Sequence, residues 1–281
     1  AARPTTSPEA YEHFVRGNVL LARRTAPDMR RAIAEFETAA QLDPSFARAR
    51  ARAGLGYALF LDWAWVYPGL SDDSVLERLS RAARQALAID SLSGDAWMAQ
   101  GLYHAFRYPR TYEGVAEAFD RGVAAEPRNA ELLHQFAGYL SYLGQYERAE
   151  RMWRSSLALE PERPITLDNL AGFLTGQRRY DEARAAWASA VRYDPSAFYL
   201  RVNRAWLELA SGQLAAAHAQ ADSAIATTFE ERIKLDPVRA AVAARAGDTT
   251  AARRILESVE QALPPGTRIM LLLVNLASGW A

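Results

Sequence analysis

Three prolines at equal spacing constrain the fold of this chain more than any other feature. Pro127, Pro161 and Pro195 are each 34 residues apart. A small residue, an aromatic residue and the closing proline fall at the same offsets in both intervals: Ala149, Trp153 and Pro161, then Ala183, Trp187 and Pro195. A fixed period of this length with this ending predicts a repeated helix–turn–helix unit. Such units pack on their neighbours, so a chain of this kind grows by repetition.

The pattern continues in both directions at less regular lengths. Ala32, Phe36 and Pro44 match the same offsets and define a first repeat. We predict an all-α fold, a right-handed α-solenoid of about seven repeats plus one further C-terminal helix, with the first helix of each pair on the inner surface. After a linker tail at residues 1–7, the predicted repeats are 8–44, 45–91, 92–127, 128–161, 162–195, 196–229 and 230–264, with a closing helix or partial repeat at 265–281.

Several segments depart from the period. The second repeat carries a 13-residue insertion that includes Trp63, Trp65 and Tyr67, followed by the turn signal Pro68-Gly69. These aromatic residues form either an exposed platform for a partner or a segment that folds back and buries itself; the second is favoured because exposed tryptophans promote aggregation. Pro237 lies in the first helix of the seventh repeat, so that helix either begins near Leu235 or is kinked.

Composition narrows the classes of partner that the chain would attract. Thirty-three basic residues balance thirty-three acidic ones, so there is no bulk attraction to nucleic acid or to anionic membranes. No run of 18 apolar residues is present, which argues for a soluble segment, and the N-terminal tail lacks the apolar core of a signal peptide. The tail resembles a linker from a longer protein. The compartment stays open between cytoplasmic and extracytoplasmic.

Catalytic and metal-binding signatures are missing from the sequence. The four histidines, His13, His104, His134 and His218, form neither an H-x3-H nor an HExxH pair. There is no G-x-S-x-G elbow and no phosphate-binding loop, and the absence of cysteine removes thiolate ligands. We therefore expect no enzyme activity, no metal and no cofactor. His134 either contacts a ligand or is a half-buried polar residue of the fold.

Projecting the repeat register onto the chain gives a candidate binding surface. The residues expected on the inner surface are Tyr11, Asn18, Arg48, Arg52, Asp95, Met98, Glu131, His134, Tyr142, Asp168, Asn169, Tyr199, Asn203 and Trp206. This mixture of aromatic, amide and charged side chains suits an extended peptide or a helix laid in a groove. The alternative is that they are solvated residues of the wall.

The repeats resemble those of the tetratricopeptide family over about residues 8–263. The segments most similar to tetratricopeptide modules of bacterial signalling proteins are Ala10 to Gly17, Arg30 to Glu37, Asp62 to Trp65 and Tyr139 to Ala149. Such modules accompany Ser/Thr kinases, transcriptional regulators and adenylate cyclases, and the resemblance implies recruitment or sensing of a protein partner. Chaperone-binding members use a clamp for C-terminal carboxylates; Asn18 fits that pattern, but its lysines are missing here.

The sequence therefore supports two alternative functions. The first is a non-catalytic scaffold that binds a partner protein or peptide in the concave groove. The second is a sensory or oligomerisation domain that forms a homodimer through an edge or through the apolar last helix, around Leu272 and Leu273.

Overall fold

The structure, a computed structural model, describes residues 5–107 and 112–262. Within these ranges all regular structure is helical, as predicted. The helices are α1 Pro8–Ala22, α2 Ala26–Leu42, α3 Ala47–Asp62, α4 Asp72–Ile89, α5 Gly94–Phe106, α6 Tyr112–Ala125, α7 Ala130–Tyr142, α8 Tyr146–Leu159, α9 Pro164–Gly176, α10 Tyr180–Tyr193, α11 Phe198–Ala210, α12 Leu214–Ser223, α13 Phe229–Arg245 and α14 Thr249–Ala262.

Consecutive helices pack as hairpins, α1 with α2 through to α13 with α14, which confirms the predicted helix–turn–helix units. The chain divides between Leu159 and Glu160 into two compact units, called unit 1 and unit 2. In unit 1, α5 packs beside both α3 and α7; in unit 2, α11 packs beside both α9 and α13. We call the surface formed by the first helices of the hairpins the first-helix face of each unit.

Glycine allows the two helices of a hairpin to approach closely. A Cβ added to Gly101 of α5 would lie 2.7 Å from ring atoms of Phe119 on α6. The same relation holds in the first hairpin, where a Cβ on Gly17 would lie 2.6 Å from the ring of Phe36. Both phenylalanines are fully buried. These aromatic rings fill the space that a side chain on the facing helix would need.

Turns from a first to a second helix require one residue in the left-handed region, two positions after the first helix ends. Gly144, Gly212 and Gly247 occupy it with φ between 73° and 89°. Arg24, Ala64 and Arg178 occupy the same position with φ of 52°, 51° and 59°, although a residue with a Cβ loses roughly 1–2 kcal/mol there. This left-handed position is therefore not reserved for glycine in the described turns.

The position of Pro237 rules out one of the two alternatives predicted for this helix, a start near Leu235; a kink at the proline stays a prediction. Helix α13 begins at Phe229 rather than near Leu235, and Pro237 lies inside it. The physical reason is a capping box: the Thr228 side chain accepts from the Glu231 backbone N–H, and the Glu231 carboxylate accepts from the Thr228 backbone N–H. This cap sets the start of the helix two turns before the proline.

The end of the predicted tail packs against the first hairpin. Thr5 is buried, and its hydroxyl group donates a hydrogen bond to the carboxylate of Asp43, at the end of α2. The predicted helix or partial repeat at 265–281 lies outside the described residues, as do Leu272 and Leu273. The repeat boundaries and the linker at residues 1–7 stay predictions.

Replacing Gly101 with alanine should destabilise unit 1 by roughly 1–3 kcal/mol, because the new methyl group overlaps the Phe119 ring in a filled core. Gly138 of α7 is the matched control, since a Cβ there meets nothing within 4 Å. Gly138→Ala should instead stabilise the helix by about 0.5–1 kcal/mol. Thermal unfolding followed by circular dichroism compares the two variants, and equal midpoints would contradict the close-approach argument.

Candidate functional site

The fourteen residues predicted for the inner surface all lie on first helices. They differ in how much of each side chain reaches solvent. Tyr142 and Asn203 are exposed, and the following are half-buried: Tyr11, Asn18, Arg48, Arg52, Asn169 and Trp206. The remaining six are buried: Asp95, Met98, Glu131, His134, Asp168 and Tyr199. Contact of these residues with a partner stays a prediction.

Asp95, on α5, is the centre of a charged cluster on the first-helix face of unit 1. Its side chain is fully buried. Arg48 donates to it from Nε at 2.5 Å, and Arg52 donates from Nε at 3.2 Å and approaches from Nη2 at 3.1 Å. Burial alone would raise the pKa of Asp95, but the charges of Arg52 and Arg48 outweigh it and hold that pKa below its ordinary value. Asp95 is therefore a buried carboxylate ion.

Glu131, on α7, is the second buried carboxylate of the cluster. Nη2 of Arg24 donates to its two oxygens at 3.1 and 3.2 Å, although the residues are 107 positions apart. The side chains are only 2% and 3% exposed. Gln135 donates to Oε1 at 2.8 Å, and Arg52 lies 4.0 Å from Oε2. The turn between α1 and α2 is thereby tied to α7.

Glu126, just before α7, adds a third carboxylate. It accepts from Arg48 at 3.1 Å, from the Asn129 amide at 2.9 Å and from the backbone N–H of Gly94 at 3.0 Å. Asn129 also donates to Asp95 at 2.9 Å. Three carboxylates thus meet three arginines among the described residues of unit 1.

Sequence reasoning predicted only part of this cluster. It placed Arg48, Arg52, Asp95 and Glu131 on one surface, and the structure brings them together. It missed Arg24, which is in a turn rather than at a repeat position. The turn position gave no distinguishing signal, because Ala64 and Arg178 also replace the glycine that three other turns use.

Unit 2 carries a different arrangement around Asp168, on α9. The carboxylate is buried, and Oδ2 accepts a hydrogen bond of 2.5 Å from the Asn203 amide of α11. Among the described residues, Oδ1 has no hydrogen-bond partner. Burial raises the pKa of Asp168 to about 7, while the Asn203 hydrogen bond and the charge of Lys234 act against that rise. Asp168 therefore titrates near neutral pH.

Two asparagines at the repeat interval lie on the first-helix face of unit 2. Asn169 and Asn203 are 34 residues apart, on α9 and α11, and are half-buried and exposed respectively. Because the Asn203 nitrogen is bonded to Asp168, the amide is held in one orientation and its carbonyl oxygen is left for other donors. Trp206, one turn further along α11, packs against the hydrophobic core of unit 2.

The aromatic insertion folds back on its own repeat. Trp65 is buried, and its ring centroid lies 5.6 Å from that of Phe60 and 4.9 Å from that of Trp63. Tyr67 contacts Phe60 at 4.9 Å between centroids. The insertion therefore serves mainly to cover the end of α3, while Trp63 and Tyr67 remain half-buried. A role for these three residues in binding stays a prediction.

The histidines lie in separate surroundings. His13 is 2.6 Å from Glu35, His218 is 2.8 Å from Asp222, His104 is 2.9 Å from Gln100, and His134 is buried on α7. Across residues 5–107 and 112–262 there is no group of three His, Asp or Glu side chains that would hold a metal ion. Nor does any helix of these ranges have the length and apolar character needed to cross a membrane.

No protein-family model and no curated protein matches the chain. Solved structures do resemble it. A monomeric mutant of IFIT1 with Gppp-AAAA has a TM-score of 0.72 at 14% identity, covering 93% of this chain and 61% of IFIT1. A tetratricopeptide repeat protein from Parabacteroides merdae has a TM-score of 0.57 at 14% identity, covering 98% and 100%. PilF from Pseudomonas aeruginosa has a TM-score of 0.52 at 19% identity, covering 82% and 97%.

These likenesses, at such low identity, concern the fold alone. Together with the helical hairpins and the 34-residue period, they show that the chain has the tetratricopeptide repeat fold. The predicted fold class is confirmed.

The titration of Asp168 should make the stability of unit 2 depend on pH. The ordinary pKa is 3.8 and the folded value about 7, so between them the folded state holds a proton that the unfolded state has released. The free energy of unfolding consequently falls as pH rises through this window. Asp168→Asn removes the effect and should raise that free energy by roughly 1–3 kcal/mol at pH 8, with little change at pH 4.

Thermal unfolding at several pH values measures this difference. Asp181→Asn is the control, because that carboxylate is fully exposed on α10 of the same unit. A wild-type profile parallel to that of Asp168→Asn would contradict the assignment.

Proposed function

We propose that the chain is a non-catalytic protein-interaction scaffold, and that a partner peptide or helix docks on its first-helix faces. The equal numbers of acidic and basic residues favour a protein over a nucleic acid as partner. Peptide recognition needs polar groups held in place beside apolar surface. On the first-helix face of unit 2, the Asn203 amide lies one turn from the half-buried ring of Trp206.

The observation that carries the proposal is the oriented amide of Asn203. Its nitrogen is bonded to the buried Asp168, so the carbonyl oxygen is free to accept from a peptide N–H without first losing rotational freedom. Asn169 presents a second amide at the equivalent position of the preceding repeat. An amide both donates and accepts, which matches the alternating groups of a peptide backbone. Two such groups on neighbouring helices suit an extended segment.

The narrower role rests on sequence resemblance. The segments shared with tetratricopeptide modules of bacterial signalling proteins support a partner-recruiting or sensing part within a larger protein. A gene whose upstream reading frame encodes a kinase, cyclase or DNA-binding domain would agree with it. An unrelated enzyme in that position would contradict it.

Site-specific photo-crosslinking tests the docking surface. A benzophenone amino acid at position 172, which is exposed on α9 one turn from Asn169, should form adducts with a protein partner in cells. Adding Asn203→Ala should lower the adduct yield at subsaturating partner, because loss of one bound amide weakens binding about tenfold, or roughly 1.4 kcal/mol.

His218 provides the matched control position. It is exposed on α12, the second helix of the same hairpin as Asn203. Equal adducts from positions 172 and 218 would contradict docking on the first-helix face.

A further inference from the structure

An open cleft of about 610 Å³ lies between α4, α5 and α6 of unit 1. Ligand sites in proteins typically enclose roughly 300–1,000 Å³, so this volume is large enough for a side chain and its neighbouring backbone. We call this space the α4–α6 cleft. The polar and aromatic residues that line it are Arg84 of α4, Trp97, Gln100 and His104 of α5, and Glu117 and Arg121 of α6.

Two of these residues, Gln100 and His104, are polar where the regular repeats are apolar. The positions are compared by counting from Ser91, Pro127 and Pro161, which close the preceding predicted repeats. The equivalent positions hold buried apolar side chains: Phe136 and Leu140 in α7, and Leu170 and Leu174 in α9. The helical hairpin therefore forms without a polar pair at these positions, and packing alone does not account for the amide and the imidazole in α5.

Gln100 and His104 contact each other and leave hydrogen-bonding atoms unused. Nε2 of Gln100 lies 2.9 Å from Nε2 of His104, while Oε1 of Gln100 and Nδ1 of His104 have no partner among the described residues. Burial and the charge of Arg107 hold the pKa of His104 below its ordinary value, although the charge of Glu117 acts against this, so the ring is neutral at pH 7. With a neutral ring, either orientation of the amide leaves a donor on one residue and an acceptor on the other.

A peptide group matches this unused pair, because it carries one N–H donor and one carbonyl acceptor. Gln100 and His104 are both half-buried and both line the cleft, so rotation of either side chain turns the unused atom toward it. A buried polar atom without a partner is unfavourable. A ligand that supplies both hydrogen bonds removes that cost.

The charges around the cleft favour an anionic group. On α6, Arg121 is paired with Glu117 at 2.7 Å, and its guanidinium lies 4.9 Å from the centroid of the Trp97 ring. On α4, Arg84 is exposed, and no carboxylate of residues 5–107 or 112–262 pairs with it. The ionised side chains that line the cleft therefore carry one net positive charge. A carboxylate fits a guanidinium through two parallel hydrogen bonds.

We infer that the α4–α6 cleft binds an acidic segment of a partner protein, whose glutamate or aspartate carboxylate pairs with Arg84 while the adjoining peptide group bonds to Gln100 and His104. This site lies on unit 1 and uses none of the residues that carry the proposed docking on unit 2. It therefore adds a second contact surface and the chemistry of the segment that it takes.

The test is a nuclear magnetic resonance titration of the full chain labelled with ¹⁵N. The reporter is the indole N–H of Trp97, which donates to the Ser91 carbonyl at 2.8 Å, and Trp97→Phe assigns its signal. The probe acetyl-Gly-Glu-Gly-amide should shift this signal with a dissociation constant of about 1 mM. Acetyl-Gly-Gln-Gly-amide lacks the carboxylate and glutarate lacks the peptide group, so each should bind at least about tenfold more weakly.

Two sets of variants separate binding from folding. Arg84→Gln should weaken binding of the glutamate peptide at least about tenfold, whereas Arg81→Gln, an exposed arginine one turn earlier on α4 that does not line the cleft, should leave it unchanged. Gln100→Leu combined with His104→Leu introduces the residue type of α9. This pair should abolish binding without lowering the midpoint of thermal unfolding, because it removes two buried atoms that lack partners.

Equal affinity for the glutamate and glutamine peptides, no binding of either, or binding that survives the double leucine change would overturn the inference. Glutarate binding as tightly as the glutamate peptide would assign the cleft to a small carboxylic acid and overturn the peptide as its occupant. If the double variant does not fold, the comparison of Arg84→Gln with Arg81→Gln decides alone, and equal affinities would overturn the site. Crosslinking from position 172 probes unit 2, so the two proposals fail separately.

Discussion

The close approach of two helices within each hairpin is the constraint on which the rest of the structure depends. Gly17 and Gly101 give their space to the rings of Phe36 and Phe119, which limits the rotational setting of these two helix pairs. That setting determines which stripe of a first helix faces its own partner and which stripe faces the neighbouring first helix. Polar residues on the second stripe, such as Asp95 and Glu131, then meet residues from other repeats.

Buried charges on the first-helix face of unit 1 specify the arrangement more than they stabilise it. Desolvation of a carboxylate and a guanidinium offsets much of their attraction, whereas leaving either one alone is strongly unfavourable. Arg24 and Glu131 therefore favour the arrangement that brings the first turn to α7 over alternatives that separate them. Apolar residues of similar size would hold the same elements without selecting one charged partner.

The sequence predicted the periodic part of this fold and much of its surface. The spacing of Pro127, Pro161 and Pro195 gave the hairpins, because periodicity reports local helix packing. The proline spacing did not predict where α13 begins, because that depends on the Thr228 cap. Nor did it predict that Arg24 contacts Glu131. A pair 107 residues apart has no period, since it depends on how several repeats stack. The folding back of the aromatic insertion was the favoured alternative, but its contacts required the structure.

Asp95 and Asp168 show why position in a repeat does not determine chemistry. Each is a fully buried aspartate on a first helix, and burial raises the pKa of both. Two arginines within hydrogen-bond reach reverse that effect at Asp95, so it stays ionised. Asp168 has one amide in contact and a lysine acting only through its charge, so it titrates near neutral pH. The same fold therefore holds a carboxylate with a lowered pKa in one unit and one with a raised pKa in the other, and the cations on neighbouring helices make the difference.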